Sequence, residues 1–121
     1  MSLDIKSAFN LTDENIISDD FIQDNNDLMW IKKDIDLLVY IPSYMNWCLQ
    51  HKERNGNLVC DYTINALAEH GRAKENSENL NFKYLCNKTQ RGMVYNFLVW
   101  CKNTLKDCNE VQIERALKHW Q

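Results

Sequence analysis

The chain has 121 residues and a formal net charge of −3, and its length is that of one ordinary globular domain. Its hydrophobic fraction of 45% and charged fraction of 26% are also those of a globular protein. Only three glycines and one proline occur, which excludes collagen-like and low-complexity chains and disfavours an all-β fold, because such folds need many tight turns. The composition therefore predicts an all-α fold.

The N-terminal part of the chain is polar and acidic. Residues 1–36 hold nine acids against three lysines, a net charge of −6, whereas the other 85 residues hold 11 basic against eight acidic side chains, a net charge of +3. Because residues 1–26 contain few apolar side chains, we expect a loosely packed N-terminal arm. Within it, a short helix or a stretch that lies on the core would be formed by Leu3, Ile5, Phe9 and Leu11. In the same arm, Ser18 is placed to cap a short helix whose first turn carries Asp19 and Asp20.

This acidic segment favours a basic protein as its partner. Phosphate binding needs clustered Lys and Arg, so the segment does not suit a nucleic acid, whereas a complementary potential would steer a basic protein toward it. The alternative is that the segment only keeps itself solvated. The aspartates expected to contact a partner are Asp19, Asp20, Asp24, Asp27, Asp34 and Asp36.

The next segment predicts two helices that meet at a proline. Apolar residues at positions 28, 31, 35 and 38 follow helical spacing, so a helix is expected from Asp27 to Tyr40. Pro42 would end it, because the residue before a proline avoids the α region, and would open a second helix at its first turn. Gly56 would close this second helix.

Residues 58–71 predict a further helix, although the β-branched run at 59–64 also fits a strand. Gly71 is placed to be the left-handed residue that ends the helix. The segment 72–79 has no apolar side chain except Ala73, so we expect an exposed loop.

The C-terminal third gives the clearest helical pattern. Asn87 and Gln90 form a capping-box pattern. The apolar side chains that follow recur at the spacing of an amphipathic helix. A second cap at Asn109 precedes a last helix. The two stripes are Val94, Phe97, Leu98, Cys101 and Leu105, and then Ile113, Ala116, Leu117 and Trp120. The chain thus predicts a compact single-domain bundle of about five helices over residues 1–121.

Two aromatic residues, Tyr95 and Trp100, lie off the first of these stripes. They are either buried by a second neighbouring element or exposed for a partner, since Tyr and Trp are enriched at binding hot spots but are also ordinary core residues. We include both among the candidate partner-binding residues.

The sequence contains little that indicates catalysis. Cys48 and His51 are three residues apart on one predicted helix, which is the start of a nucleophile–base pair, but nothing else supports such a site. There is no CxxC pair, phosphate loop or HExxH motif, so we expect neither a metal nor a cofactor. An odd number of cysteines, five, without a secretory leader predicts a reduced, cytoplasmic protein, and no apolar stretch is long enough for a membrane.

Four short motifs resemble a bacterial family of small helical proteins of unknown function. They are I-P-S-Y-M at 41–45, F-x-x-L-x-x-x-T-Q at 82–90, F-L-x-W at 97–100 and A-L-x-x-W at 116–120. The family pattern is roughly LPAYM … F..LTPEQ … FL.WL … AL..YW, and this chain departs from it at Ser43, where Ala is usual, and at residues 87–88, where Thr-Pro is usual. The resemblance covers about residues 28–121 and implies a fold without a known chemistry.

By size and acidity alone, the chain is also similar to immunity proteins, which neutralise a toxin made by the same cell. We therefore expect a non-catalytic protein-binding module, an immunity or antitoxin-like protein that neutralises a basic, nuclease-type toxin through its acidic surface. One alternative is an enzyme of unknown type that uses Cys48 and His51. Another is a weak nucleic-acid-binding domain whose contacts would be Lys83, Lys88, Arg91, Lys102, Lys106, Arg115 and Lys118.

Overall fold

A computed structural model describes residues 4–31, 35–51, 58–105 and 109–121. Across these residues the chain forms α-helices and one 3-10 helix and no strand, so the predicted all-α fold is confirmed. Four helices are long and three are short, which is more than the five expected. In chain order they are α1 (Ile5–Ala8), α2 (Asp19–Asp24), the 3-10 helix η1 (Leu28–Trp30), α3 (Leu37–Gln50), α4 (Leu58–Arg72), α5 (Phe82–Leu85), α6 (Lys88–Thr104) and α7 (Glu110–Trp120).

The core is built around α4, which packs against α3 on one side and α7 on the other, while α7 also packs against α6. Residues 59–64 are helical, so the competing strand interpretation of this segment is excluded. The two predicted C-terminal stripes are confirmed as core, except that Leu105 is only half-buried. Fully buried side chains from three different helices, Leu67, Leu98 and Ile113, illustrate the common core.

Gly71 does not have the predicted role. It lies inside α4, is buried, and does not adopt the left-handed conformation that ends a helix. A Cβ at this position would lie 2.6 Å from Nε1 of Trp120 and 2.9 Å from Cβ of His119. The indole N–H of Trp120 donates to the carbonyl of Leu67 at 2.7 Å. Position 71 is glycine because α7 approaches α4 too closely for any side chain.

The N-terminal segment is also packed more tightly than expected. Ile5, Phe9, Leu11 and Ile22 are all buried in the core, so residues 4–26 are not a loosely packed arm. Three further apolar residues of this segment are partly buried against the same core, namely Ala8, Ile16 and Ile17. The ring of Phe9 stacks on that of Phe82, with centroids 5.9 Å apart.

Two long-range hydrogen bonds fix the same segment to the helices. The backbone N–H of Ile17 donates to the buried hydroxyl of Ser43 at 3.1 Å, and the side-chain amide of Gln90 donates to the carbonyl of Ala8 at 3.1 Å. Ser43 is one of the positions where the chain departs from the family pattern, and here its hydroxyl has a clear structural use.

The predicted helix from Asp27 to Tyr40, ended by Pro42, is wrong. The Asp27 side chain caps only the short η1, and the chain is extended at Ile31. A new helix, α3, begins after Asp36, whose carboxylate accepts from the N–H of Leu38 at 3.1 Å. Pro42 lies inside α3 and is buried. It is the sixth residue of α3, beyond the first turn, so the carbonyl of Leu38 lacks the N–H that would otherwise bond to it within the helix.

The predicted caps are confirmed. The Ser18 hydroxyl accepts from the N–H of Phe21, the Asn109 side chain accepts from the N–H of Gln112, and Asn87 and Gln90 form both bonds of a capping box. The expected loop is present, although α4 extends to Arg72 before it begins. The predicted cap at position 56 lies outside the described residues.

Candidate protein-binding surface

A single large aromatic side chain, that of Trp30, is largely exposed next to the acidic segment. It is 85% exposed at the end of η1. Beside it is a cleft of about 410 Å³ that Asp24, Asp27 and Tyr62 also line. An exposed tryptophan between carboxylates combines a broad apolar contact with negative charge, which is the composition of a protein-binding hot spot.

Contacts with the core and local hydrogen bonds hold the backbone around Trp30 in place. Leu28 inserts into the core, and the Asp27 carboxylate accepts from the N–H of Met29 at 3.0 Å. The buried Tyr44 on α3 donates its hydroxyl to the carbonyl of Asn25. Burial raises the pKa of Tyr44 well above its usual value, so this hydroxyl stays protonated and remains a donor. The segment is therefore rigidly attached, and its exposed side chains are presented outward.

The short helix α2 supplies the rest of the acidic surface. Asp19, Asp20 and Asp24 are exposed, while Ile22 on the opposite face is buried in the core. The ring of Phe21 contacts that of Tyr40 on α3 edge-to-face, with centroids 6.0 Å apart. We call Asp19, Asp20, Asp24, Asp27 and Trp30 the acidic surface.

The carboxylates of the acidic surface are not neutralised by the rest of the described chain. Ion pairs in the described residues join Lys6 to Asp13, Arg72 and Arg115 to Glu69, and Lys102 to Glu114. None of them includes an aspartate of the acidic surface, so its charge is directed to solvent and is available to a cation from outside.

The remaining candidate acids are not part of the acidic surface. Asp36 is exposed but caps α3, and it lines a different groove, of about 920 Å³, together with the buried His70. Asp34 lies outside the described residues. The structure therefore brings Asp24 and Asp27 to one cleft and separates Asp36 from them.

Tyr95 and Trp100 are half-buried against the core. The ring of Trp100 stacks on that of Phe97, with centroids 6.1 Å apart. Tyr95 lines a second cleft, apart from the one beside Trp30. Neither is an exposed anchor comparable to Trp30. The sequence signal for Trp30 was its position off the helical spacing of 28, 31, 35 and 38, three residues after the capping Asp27.

The geometry around Cys48 and His51 does not suit catalysis. Cys48 is fully buried, and burial together with the neighbouring Cys60 thiol raises its pKa well above the ordinary value. The His51 ring stacks on Trp47 with centroids 4.1 Å apart, and its Nδ1 lies 2.8 Å from the Trp47 carbonyl oxygen. A nucleophilic cysteine needs a thiolate that substrate can reach, and Cys48 has neither property.

Within the parts of the chain that the structure describes, no group of three or more His, Cys, Asp or Glu side chains could hold a metal ion. In the same residues, no helix combines the length and the apolar character needed to cross a membrane.

No family model, no curated protein and no solved structure matches this chain. The resemblance to a bacterial helical family therefore stays a prediction from its four motifs. The function is inferred from the geometry and chemistry of the chain itself.

Proposed function

We propose that this chain is a non-catalytic module that binds a basic protein through the acidic surface. The observation that carries the proposal is Trp30, which is 85% exposed on a backbone held firmly by the core, beside Asp24 and Asp27. In an isolated globular domain a tryptophan normally contributes its large apolar area to the core. Its outward position here fits burial by a partner.

The charges around Trp30 support a basic partner. The aspartates of the acidic surface form no ion pair among the described residues, and Asp20 and Asp24 are four positions apart, on one face of α2. Such a surface steers a positively charged protein during encounter and repels acidic competitors. Trp30 would supply most of the binding energy, and the carboxylates would supply rate and selectivity.

More specifically, we propose that the chain has an immunity or antitoxin role. A nuclease-type toxin carries a basic surface with which it holds phosphates, and an acidic surface with an aromatic anchor is complementary to it. We propose a cytoplasmic location because Cys48 and Cys86 are free thiols, which persist in a reducing compartment.

The test is direct binding to the products of the genes that neighbour this chain's gene, among which we expect a basic product to bind. Isothermal titration should give a dissociation constant that rises at least tenfold in Trp30→Ala. The matched control is Val111→Ala on α7, which removes another exposed apolar side chain, one that is 70% exposed, and should leave affinity unchanged. Equal losses in both variants, or none in Trp30→Ala, would contradict the proposal.

A second experiment separates the contribution of charge to binding from that of packing. Asp24→Asn and Asp27→Asn remove charge while the asparagine keeps capping ability at position 27. We expect a lower association rate and a weaker dependence of affinity on salt in the double variant. Glu75→Gln, in the exposed loop after α4, is the control. Binding that does not respond to salt in the wild-type protein would rule out the electrostatic part.

A further inference from the structure

A second cleft, which shares no residue with the acidic surface, lies where α5, the first turns of α6 and the end of α7 meet. Its volume is about 640 Å³, within the range of small-molecule sites. Three cations converge on it, one from α5 and two from α6. Its lining includes Lys83, Lys88, Arg91, Gly92, Tyr95 and Trp120.

The cations of this cleft form no ion pair among the described residues, a property they share with Lys74 and Lys118. Lys6, Arg72, Lys102 and Arg115, by contrast, each form an ion pair with a carboxylate. Among the described residues, none of the three cleft cations has an acidic partner. Their positive charge is therefore not compensated by an ion pair within the described part of the chain.

Two of the three cations are also held in place by hydrogen bonds to the backbone. Lys83 donates its ammonium to the carbonyl of His119 at 2.7 Å, and Nε of Arg91 donates to the carbonyl of Lys83 at 2.9 Å. The guanidinium carbon of Arg91 lies 6.0 Å from the ring centroid of Tyr84. Cations fixed before a ligand arrives lose less freedom when it binds.

Gly92 is an independent indication that something approaches this cleft closely. It lies inside α6, where glycine destabilises a helix relative to alanine. A Cβ built at this position has no atom within 4 Å, and its φ is not left-handed, so neither packing nor backbone conformation requires glycine here. Gly71 differs, because Trp120 leaves no room for a side chain there. The backbone at Gly92 is therefore open to close approach by a group from outside the chain.

We propose that this cleft binds a phosphorylated small molecule with a flat ring, the chemistry of a nucleotide. The phosphates lie among Lys83, Lys88 and Arg91, since arginine and lysine are the usual phosphate partners in proteins. The ring lies over the bare helix backbone at Gly92, beside Tyr95. This binding mode uses fixed side-chain cations and needs no glycine-rich loop.

The first test compares two ligands that carry the same phosphate chain. Titration calorimetry at low salt should show that adenosine triphosphate binds at least tenfold more tightly than inorganic tripolyphosphate, because the ring adds contacts at Gly92. Lys88→Gln and Arg91→Gln should each weaken binding at least fivefold. Lys74→Gln removes a charge from the exposed loop, away from the cleft, and should leave binding unchanged.

The decisive variant is Gly92→Ala. Alanine has a higher helix propensity and meets nothing in the free protein, so the melting temperature should rise by about 3–5 °C. The same methyl group occupies the place of the ring, so affinity for adenosine triphosphate should fall at least tenfold. A more stable protein that binds less well cannot result from damage to the fold.

Four outcomes would overturn the proposal. They are no binding of adenosine triphosphate at millimolar concentration, equal affinity for tripolyphosphate, unchanged affinity in Gly92→Ala, and tighter binding of a single-stranded RNA 12-mer than of adenosine triphosphate at equal site concentration. The last result would assign the cleft to a nucleic acid.

Discussion

At Gly71 the absence of a side chain is a requirement of packing. The indole of Trp120 occupies the space that a Cβ would take, and its N–H binds the Leu67 carbonyl in the same helix. A sequence pattern cannot distinguish this use of glycine from a helix end, because both place glycine near the last apolar residue of a helix. The close approach of a residue 49 positions later (120 − 71) decides between them.

We predict that Gly71→Ala lowers the free energy of unfolding by about 1–3 kcal/mol, because the methyl group forces α7 away from α4. Urea denaturation measures the change. The identical substitution at Gly92 should stabilise the protein by roughly 1 kcal/mol, since that position is open. Stabilisation of the protein by both substitutions would show that helix propensity, and not packing, governs both positions.

Trp30 gives a second prediction at the residue scale. Because its side chain is 85% exposed, Trp30→Ala should change the free energy of unfolding by less than about 1 kcal/mol. Trp47→Ala is the comparison, since Trp47 is buried in the core and its loss should cost about 3–5 kcal/mol. A large loss of stability in Trp30→Ala would mean that this tryptophan belongs to the fold and not to an interface.

At the scale of helices, the features that depend on neighbouring residues were predicted correctly, and the features that depend on distant residues were not. Ser18, Asn87 and Asn109 cap helices as the sequence indicates, because a cap depends on residues within one turn. The spacing that predicted one helix before Pro42 is real, but Leu28 lies in η1, Leu38 lies in α3, and the two isoleucines between them lie in neither helix. Competition between the caps at Asp27 and Asp36 divides the segment, and spacing alone contains no information about that division.

The capping box of α6 is the element whose contribution can be measured most simply. Asn87→Ala should destabilise the protein by about 1 kcal/mol, because it leaves the N–H of Gln90 without its side-chain acceptor. Asn103→Ala is the matched control, since the same change at an exposed position inside α6 should fall within about ±0.5 kcal/mol. Equal effects in the two variants would show that the cap does not stabilise the protein.

Gln90 adds a contribution beyond the cap, because its amide also donates to Ala8 in the N-terminal segment. Gln90→Ala should therefore cost more than Asn87→Ala in the same denaturation assay. A smaller loss would mean that the N-terminal segment is held by its buried apolar residues alone.

For the whole molecule, pH should control stability through His70. This side chain is buried at the junction of α4 and α5, where its Nδ1 accepts from the N–H of Phe82 at 3.3 Å. Burial lowers the pKa of His70 to about 4 from an ordinary value of 6.5, against the opposing effects of the Leu80 backbone and Glu69. The folded protein therefore contains the neutral imidazole.

Between pH 6.5 and about 4 the unfolded chain binds a proton at His70 more strongly than the folded chain does. The stability contributed by neutral His70 is present above pH 6.5 and should decline by about 2–3 kcal/mol as the pH falls to 4. Carboxylates also titrate in this range, so the measurement is the difference between the wild type and His70→Gln. Identical pH dependence in the two proteins would contradict the assignment.

Across the whole chain, the candidate site was only partly visible in the sequence. The acidic character of Asp24 and Asp27 follows from composition, and so does the expectation of a basic partner. The exposure of Trp30 and the half-burial of Tyr95 and Trp100 depend on which helix faces each residue, and that is set by tertiary packing. The sequence alone named Lys83, Lys88 and Arg91 as basic residues. Only the fold shows that they line one cleft.

The contact between Trp120 and Gly71 also determines when the fold can be completed on the ribosome. Residues 58–72 emerge before the codon for Trp120 has been read, so the side of α4 that α7 covers stays bare while translation continues, for seconds at about 5–20 residues per second. A nascent chain that stalls before α7 presents an open apolar surface to chaperones and proteases. A copy of the chain that lacks α7 would therefore leave this side of α4 open to solvent.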